Sequence, residues 1–230
     1  MMSTDVSPLA LEALEDRRHL SVTATSIAGP LSKGTAWTYK VTSAGTTSNV
    51  TNKVIGTTKV GKISTVEVDN TSSAAGSTTV TKDYVHLDTK TGLVSYKVSA
   101  KTTASTVFAR TAIHVPSPYN TVYPAKMVAK TKYSFKWTDQ LTTTTSLSST
   151  PVIATATVNY TVKLSSDKTT KVTVPAGTFS CYTITTTLKT TENGQTTTVT
   201  ATEYVAANVG VVKSVSGGST SVLTKFVKGK

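Results

Sequence analysis

From Leu31 onward the chain alternates apolar and polar residues with a period of two. Trp37, Tyr39 and Val41 alternate with Thr38, Lys40 and Thr42, and Tyr133, Phe135 and Trp137 alternate with Lys132, Ser134 and Lys136. Farther on, Ala154, Ala156, Val158, Tyr160, Val162 and Leu164 oppose Thr155, Thr157, Asn159, Thr161 and Lys163. Successive side chains of a strand point to opposite faces, so this pattern predicts strands with one face buried and one in water. No stretch of the body carries a helical period, and the turn spacing predicts about ten to thirteen strands.

Between these runs lie glycine-bearing or Asx/Ser-rich links: Ser43-Ala44-Gly45, Val60-Gly61-Lys62, Ala74-Ala75-Gly76, Lys90-Thr91-Gly92, Ser165 to Lys168, Glu192-Asn193-Gly194 and Gly217-Gly218. Asn193-Gly194, between two threonine-rich runs, is the strongest hairpin signal. The stretch Val172 to Tyr182 reads as strand, sharp turn, strand. Pro175 presets φ for the first turn position, Gly177 permits a positive φ, and the strand resumes through Phe179.

The chain also repeats itself. Lys33 to Lys40 answers Ala129 to Lys136, Gly61-Lys62-Ile63 answers Gly177-Thr178-Phe179, and Thr78 to Val85 answers Thr197 to Val205. Gly92-Leu93-Val94 likewise answers Gly210-Val211-Val212. The matches fall in the same order in both halves. The expected fold class is therefore all-β: large antiparallel meander sheets built from two pseudo-repeats, at about residues 31–114 and 123–230 of one domain spanning 21–230, forming a sandwich or a curved half-barrel or barrel.

Residues 1–20 differ in kind. Ser7-Pro8 is a helix start, and Leu9 to Arg18 uses strong helix formers with acids ahead of arginines, which predicts a short helix or a poorly ordered segment. Leu11-Glu12-Ala13-Leu14-Glu15-Asp16-Arg17-Arg18-His19-Leu20-Ser21 resembles the LEPRxLL-type N-terminal motif of exported planctomycete surface proteins, with Asp16 where that motif has proline. The resemblance implies export to the cell envelope or the exterior. No run approaches the length of an apolar transmembrane helix.

Composition narrows the chemistry. The 230 residues carry 24 basic and 12 acidic side chains, a net charge of +12. Only Arg17, Arg18 and Arg110 are arginines. Base and phosphate readout favour the guanidinium fork, so scattered lysines fit a surface attracted to envelope polyanions, with no specific nucleic acid as partner. Cys181, the single cysteine, excludes an internal disulfide and reads as a small buried apolar residue in a strand.

A second resemblance covers nearly the whole body. Lys33 to Tyr39, Tyr84 with Gly92-Leu93-Val94, Tyr123-Pro124, the complete Val-Pro-Ala-Gly-Thr-Phe element at Val174 to Phe179, and Tyr204 with Val209 to Lys213 resemble uncharacterised extracytoplasmic proteins of the DUF3108-type group. That group is related at fold level to the LolA/LolB lipoprotein-carrier half-barrel. The resemblance implies no catalytic residues. It marks Pro175, Gly177, Phe179, Tyr204 and Gly210 as structural positions.

Candidate catalytic groups are few. His19, His86 and His114 stand in no metal-binding or nucleophile spacing. Asp83 and Glu203 occupy equivalent repeat positions, each just before a tyrosine. They could face one another across a cleft, or each could pair with a neighbouring lysine, which is the expectation. The chain is thus expected to be no enzyme and to need no cofactor or metal.

Two functions remain. The first is a structural or adhesive role for an exported β-protein with a filled core. The alternative is a carrier holding an apolar, lipid-like ligand between its sheets. The aromatic faces of Trp37, Tyr39, Tyr133, Phe135, Trp137 and Tyr160 must either pack on one another or line a cavity, because bare apolar faces of that size aggregate.

Overall fold

The computed structural model describes residues 21–74, 77–103, 109–146 and 148–230. The helix expected at Leu9 to Arg18 and the export-type motif lie outside the described residues, as do Ala75 and Gly76 of one expected turn. The elements are β1 (Ser21–Thr23), α1 (Ala24–Ile27), β2 (Ala36–Ser43), β3 (Thr46–Val60), β4 (Ile63–Ala74), β5 (Ser77–Asp88), β6 (Gly92–Thr103), β7 (Ala109–Ser117), β8 (Asn120–Tyr123) and β9 (Lys126–Val128). They continue with β10 (Lys132–Thr145), β11 (Ser148–Leu164), β12 (Thr170–Val174), β13 (Gly177–Glu192), β14 (Gln195–Ala206), β15 (Gly210–Ser216) and β16 (Ser219–Val227).

The long strands form an up-and-down meander. β2 to β7 pair in sequence, β7 pairs with β10, β10 with β11, β11 with β13, and β13 to β16 return to β2. All these pairings are antiparallel, and the β11–β13 pairing joins the two ends of the sheet into a closed barrel. Of the sandwich and the curved sheet, the chain adopts the curved sheet, closed by a ladder that pairs Thr157 to Leu164 of β11 with Thr191 to Ile184 of β13, beyond which the first part of β11 runs on unpaired on that side. The short strands β1, β8, β9 and β12 lie outside this ring. Of these, β1, β8 and β9 carry too few residues for an alternation to declare them, while β12 is the strand read ahead of the turn at Pro175.

Turn chemistry follows the sequence. Asn193 and Gly194 have φ of 49° and 77°, and Gly217 and Gly218 have 52° and 79°, as two-residue hairpins of the right twist require. Pro175 and Ala176 link β12 to β13, and Gly177 follows at φ 135°. The Ala176 amide donates to the Leu223 carbonyl at 3.1 Å, which pins this hairpin tip to β16.

The two halves match in detail. The β5–β6 ladder shifts register between Tyr84 and Val85, and the β14–β15 ladder shifts between Tyr204 and Val205. Lys97 Nζ lies 5.7 Å from the centre of the Tyr84 ring, and Lys213 Nζ lies 5.7 Å from that of Tyr204. Such bulges bend and twist a strand, so a matched pair in the two halves helps curl the sheet until it closes.

One end of the barrel is plugged. β1 pairs with β9, bringing Val22 opposite Met127, and the four-residue α1 follows. Ala24, Ile27 and Met127 are fully buried in a cluster with Tyr123, Val162, Leu164, Ile184 and Val205. The Asn208 amide donates to the Ser26 carbonyl at 2.9 Å, so the segment straps across the barrel end. No helix was expected to cover the aromatic faces; α1 is too short for a helical period to show, and tertiary burial holds it in place. At the far end, Gln195 to Thr200 runs past the end of β15 and is exposed on both faces of the strand.

Candidate functional site

Alternation within the closed ring decides what faces the lumen. Trp37 lies opposite Asn52, Asn52 opposite Asn70 and Asn70 opposite Thr81, a row that shares the inner face. Lys40, between Tyr39 and Val41, turns outward by the same rule. Inside, a cavity of about 400 Å³ lies between the plug and the strands. Its floor includes Ala28, Leu31, Gly210 and Val211, and its walls include Trp37, Tyr39, Val68, Val85, Leu93 and Tyr123. Among the described residues, no lysine, arginine or histidine lines it.

Against these walls stand a few polar groups. Asn70 Nδ2 donates to Asn52 Oδ1 at 2.6 Å. Ser95 Oγ donates to Asp83 Oδ1 at 2.5 Å, and the Tyr84 amide also bonds the Asp83 carboxylate. The Tyr123 hydroxyl donates to Glu203 Oε2 at 2.6 Å. Asp83 and Glu203 therefore both reach the cavity, one from each half of the barrel. Burial pushes both carboxyls above the usual carboxylate range, and their hydrogen bonds pull partly back.

Pairing of these acids with neighbouring lysines does not occur. Lys82 precedes Asp83 in the strand and so faces outward, where its Nζ donates to Glu67 Oε1 at 2.6 Å. Adjacent positions of a strand cannot meet on one face. Glu203 also acts on its surroundings. With burial as the larger cause, its charge holds the Tyr39 and Tyr160 hydroxyls well above the ordinary phenol range.

Five of the six aromatic residues divide into two groups. Trp37 and Tyr39 line the cavity; Trp37 Nε1 donates to the Val209 carbonyl at 2.6 Å and the Tyr39 hydroxyl to the Val211 carbonyl at 2.9 Å. Phe135, Trp137 and Tyr160 pack together elsewhere, with the Tyr160 ring centre 6.5 Å from Phe135 and 6.1 Å from Trp137. The Tyr160 hydroxyl donates to the Val122 carbonyl at 3.1 Å, and the Tyr133 hydroxyl accepts from the Val128 amide at 2.8 Å. Phe135 and Trp137 border a second recess formed with Tyr119, Pro124 and Lys136.

Of the structural positions, Gly210 reaches the cavity floor, Tyr204 marks the register shift, and Pro175, Gly177 and Phe179 belong to the β12–β13 hairpin. Cys181 is buried, and desolvation pushes its thiol up to about 11. His86 is turned to the Ser64 carbonyl and Asp88, away from the cavity.

Asn52, Asn70 and Ser221 belong to the site and carry no motif, and Tyr123 is part of the Tyr123-Pro124 motif, which does not single it out as a site residue. A signal for the asparagines exists. In Val50-Thr51-Asn52-Lys53-Val54 and Val66-Glu67-Val68-Asp69-Asn70, an amide takes an inward position that the alternation reserves for an apolar residue.

The DUF3108-like family profile matches residues 32–216. Among solved structures the chain is similar to a candidate lipoprotein from Parabacteroides distasonis ATCC 8503, at 15% identity over 88% of this chain and 99% of that one, with a TM-score of 0.43. It is also similar to a candidate exported protein with a YmcC-like fold from Bacteroides fragilis NCTC 9343, at 15% identity over 88% of this chain and 100% of that one, with a TM-score of 0.44. No protein of curated function matches the chain.

Proposed function

The chain belongs to the DUF3108-like family, and from its hollow, one-end-plugged barrel we propose that it is a non-enzymatic binding protein that holds an apolar, lipid-like ligand in the lumen. The observation that carries this reading is the cavity of about 400 Å³ walled by apolar side chains from both halves. Small-molecule sites typically occupy about 300–1,000 Å³ and combine apolar walls with a few placed polar groups. The plug gives the cavity a floor at Ala28 and Leu31. The kinship at fold level with lipoprotein carriers, implied by Val174 to Phe179 and the flanking motifs, agrees with this reading.

We place the protein outside the cytoplasm, in the envelope or beyond it, on the strength of the export-type motif at Leu11 to Ser21. A structural or adhesive role is the second reading. It is favoured by the outer surface, where Lys132 and Lys163 stand directly opposite each other, a like-charge pair that would suit an envelope polyanion.

The lumen reading is tested by titrating the full chain with dodecanol while following tryptophan emission, together with mass spectrometry of lipids extracted from protein purified from its host. Saturable change and a co-purifying amphiphile are expected. Unchanged emission and no bound lipid would leave the surface role.

A further inference from the structure

We propose that the lumen selects an amphiphile with a cationic head, an alkylammonium, and that Asp83 and Glu203 are the groups that receive it. The proposal rests on the lumen reading above and names its ligand class.

Its basis is an imbalance of charge within the barrel. The chain carries twice as many basic as acidic side chains, yet two of the few acids face a cavity that no basic residue lines among the described residues. Their hydrogen-bond partners are neutral: Ser95 and the Tyr84 amide for Asp83, and Tyr123 for Glu203. A buried carboxylate without a cation is destabilising. By contrast, on the outer face beside Asp83, the acid Glu67 is paired with a cation, Lys82.

The surroundings fit a cation as the missing partner. Burial pushes both carboxyls up, and the donors on them, Ser95 and the Tyr84 amide on Asp83 and the Tyr123 hydroxyl on Glu203, pull partly back toward the acceptor form that an ammonium would complete. The Trp37 and Tyr39 rings line the same cavity, and aromatic faces attract a desolvated ammonium. The valine and leucine walls are left for an alkyl chain. Placing one acid in each half presents two acceptor sites in the lumen, matched by the pseudo-symmetry that relates the two register shifts.

The test compares dodecylammonium, dodecanol and laurate, three probes with the same chain, by calorimetry and tryptophan emission on the full chain and on the Asp83→Asn, Glu203→Gln double variant. Both substitutions keep size and an acceptor oxygen, and a thermal melt of each protein confirms folding. Dodecylammonium is expected to bind at least about tenfold more tightly than dodecanol, a 1.4 kcal/mol difference, and laurate more weakly than either. In the double variant that preference is lost while dodecanol binding stays. Equal affinities for the amine and the alcohol in the wild-type chain, or an amine preference that survives in the variant, would overturn the proposal and leave the lumen reading standing. Binding of none of the three probes would overturn both.

Discussion

The Tyr123 hydroxyl donates a 2.6 Å hydrogen bond to Glu203 Oε2, joining β8, which pairs with β6 of the first half, to β14 of the second. The bond does two things at once: it closes the wall where β8 fills in beside β6, and it supplies a donor to a carboxyl that burial would otherwise protonate. Tyr123→Phe should destabilise the protein by about 1–3 kcal/mol, since the acceptor stays buried without its donor. In a Glu203→Gln background the loss should shrink. A double-mutant cycle in urea measures the coupling, and additive effects would show that the bond contributes nothing.

Stability should respond to pH in two opposed ways. Burial raises Glu203 in the folded state, so the native protein holds that proton more tightly than the unfolded chain. Its contribution therefore falls as pH rises from the ordinary value of 4.5 through the folded value. Glu203→Gln should melt above wild type at pH 7 and level with it near pH 4. His114 is raised chiefly by its 2.7 Å bond to Asp139, so that stabilisation is complete below its ordinary value of 6.5 and is lost as pH climbs through the folded value. His114→Gln should flatten the stability profile above pH 6.5. Parallel pH profiles for wild type and variants would refute either assignment.

Three substitutions rank by backbone geometry. A side chain at Gly92, whose φ is 86°, would press into the Tyr123 carbonyl oxygen and the Ala125 amide nitrogen, so Gly92→Ala should be the most damaging. Gly177 has φ 135° but meets only the Phe179 ring at 3.7 Å, so Gly177→Val should cost about 1–3 kcal/mol. Thr185→Val, on the outer face of β13, should stay within about 0.5 kcal/mol. Melting temperatures in any other order would count against this account of the turns.

Trp37 is only 6% exposed and is held by its bond to Val209 and by the Phe226 ring 6.0 Å away. Trp37→Ala should cost about 3–5 kcal/mol through lost burial and an enlarged cavity. Chemical denaturation measures it, and a loss under 1 kcal/mol would mean that the indole is not structural.

Removal of residues 1–20 should leave the barrel folded and stop export, because β1 begins at Ser21. Removal of residues 1–28 takes Val22, Ala24 and Ile27 out of the plug and should lower the melting temperature markedly. Secretion assays and thermal melts of both truncations check this. Equal melting of the two would show that the plug adds no stability, and full export of the shorter truncation would remove the targeting role from the N-terminal segment.

Period-two alternation, turn glycines and the internal repeat fixed the all-β class, the antiparallel meander and even the pairing of Asp83 with Glu203 as equivalent positions. These are legible because a strand's faces and a turn's φ are local properties, set by residues next to one another in the chain. The tertiary structure alone decided that the sheet closes through β11 and β13, since closure depends on twist accumulated over all the barrel strands. It also decided that Trp37 and Tyr39 line a cavity while Phe135, Trp137 and Tyr160 pack elsewhere, because all five share the same inward phase and differ only in what lies across the barrel. The Tyr123-Pro124 motif marks the position of Tyr123 but not its bond to Glu203, whose residue lies 80 positions away and meets it only in the folded barrel.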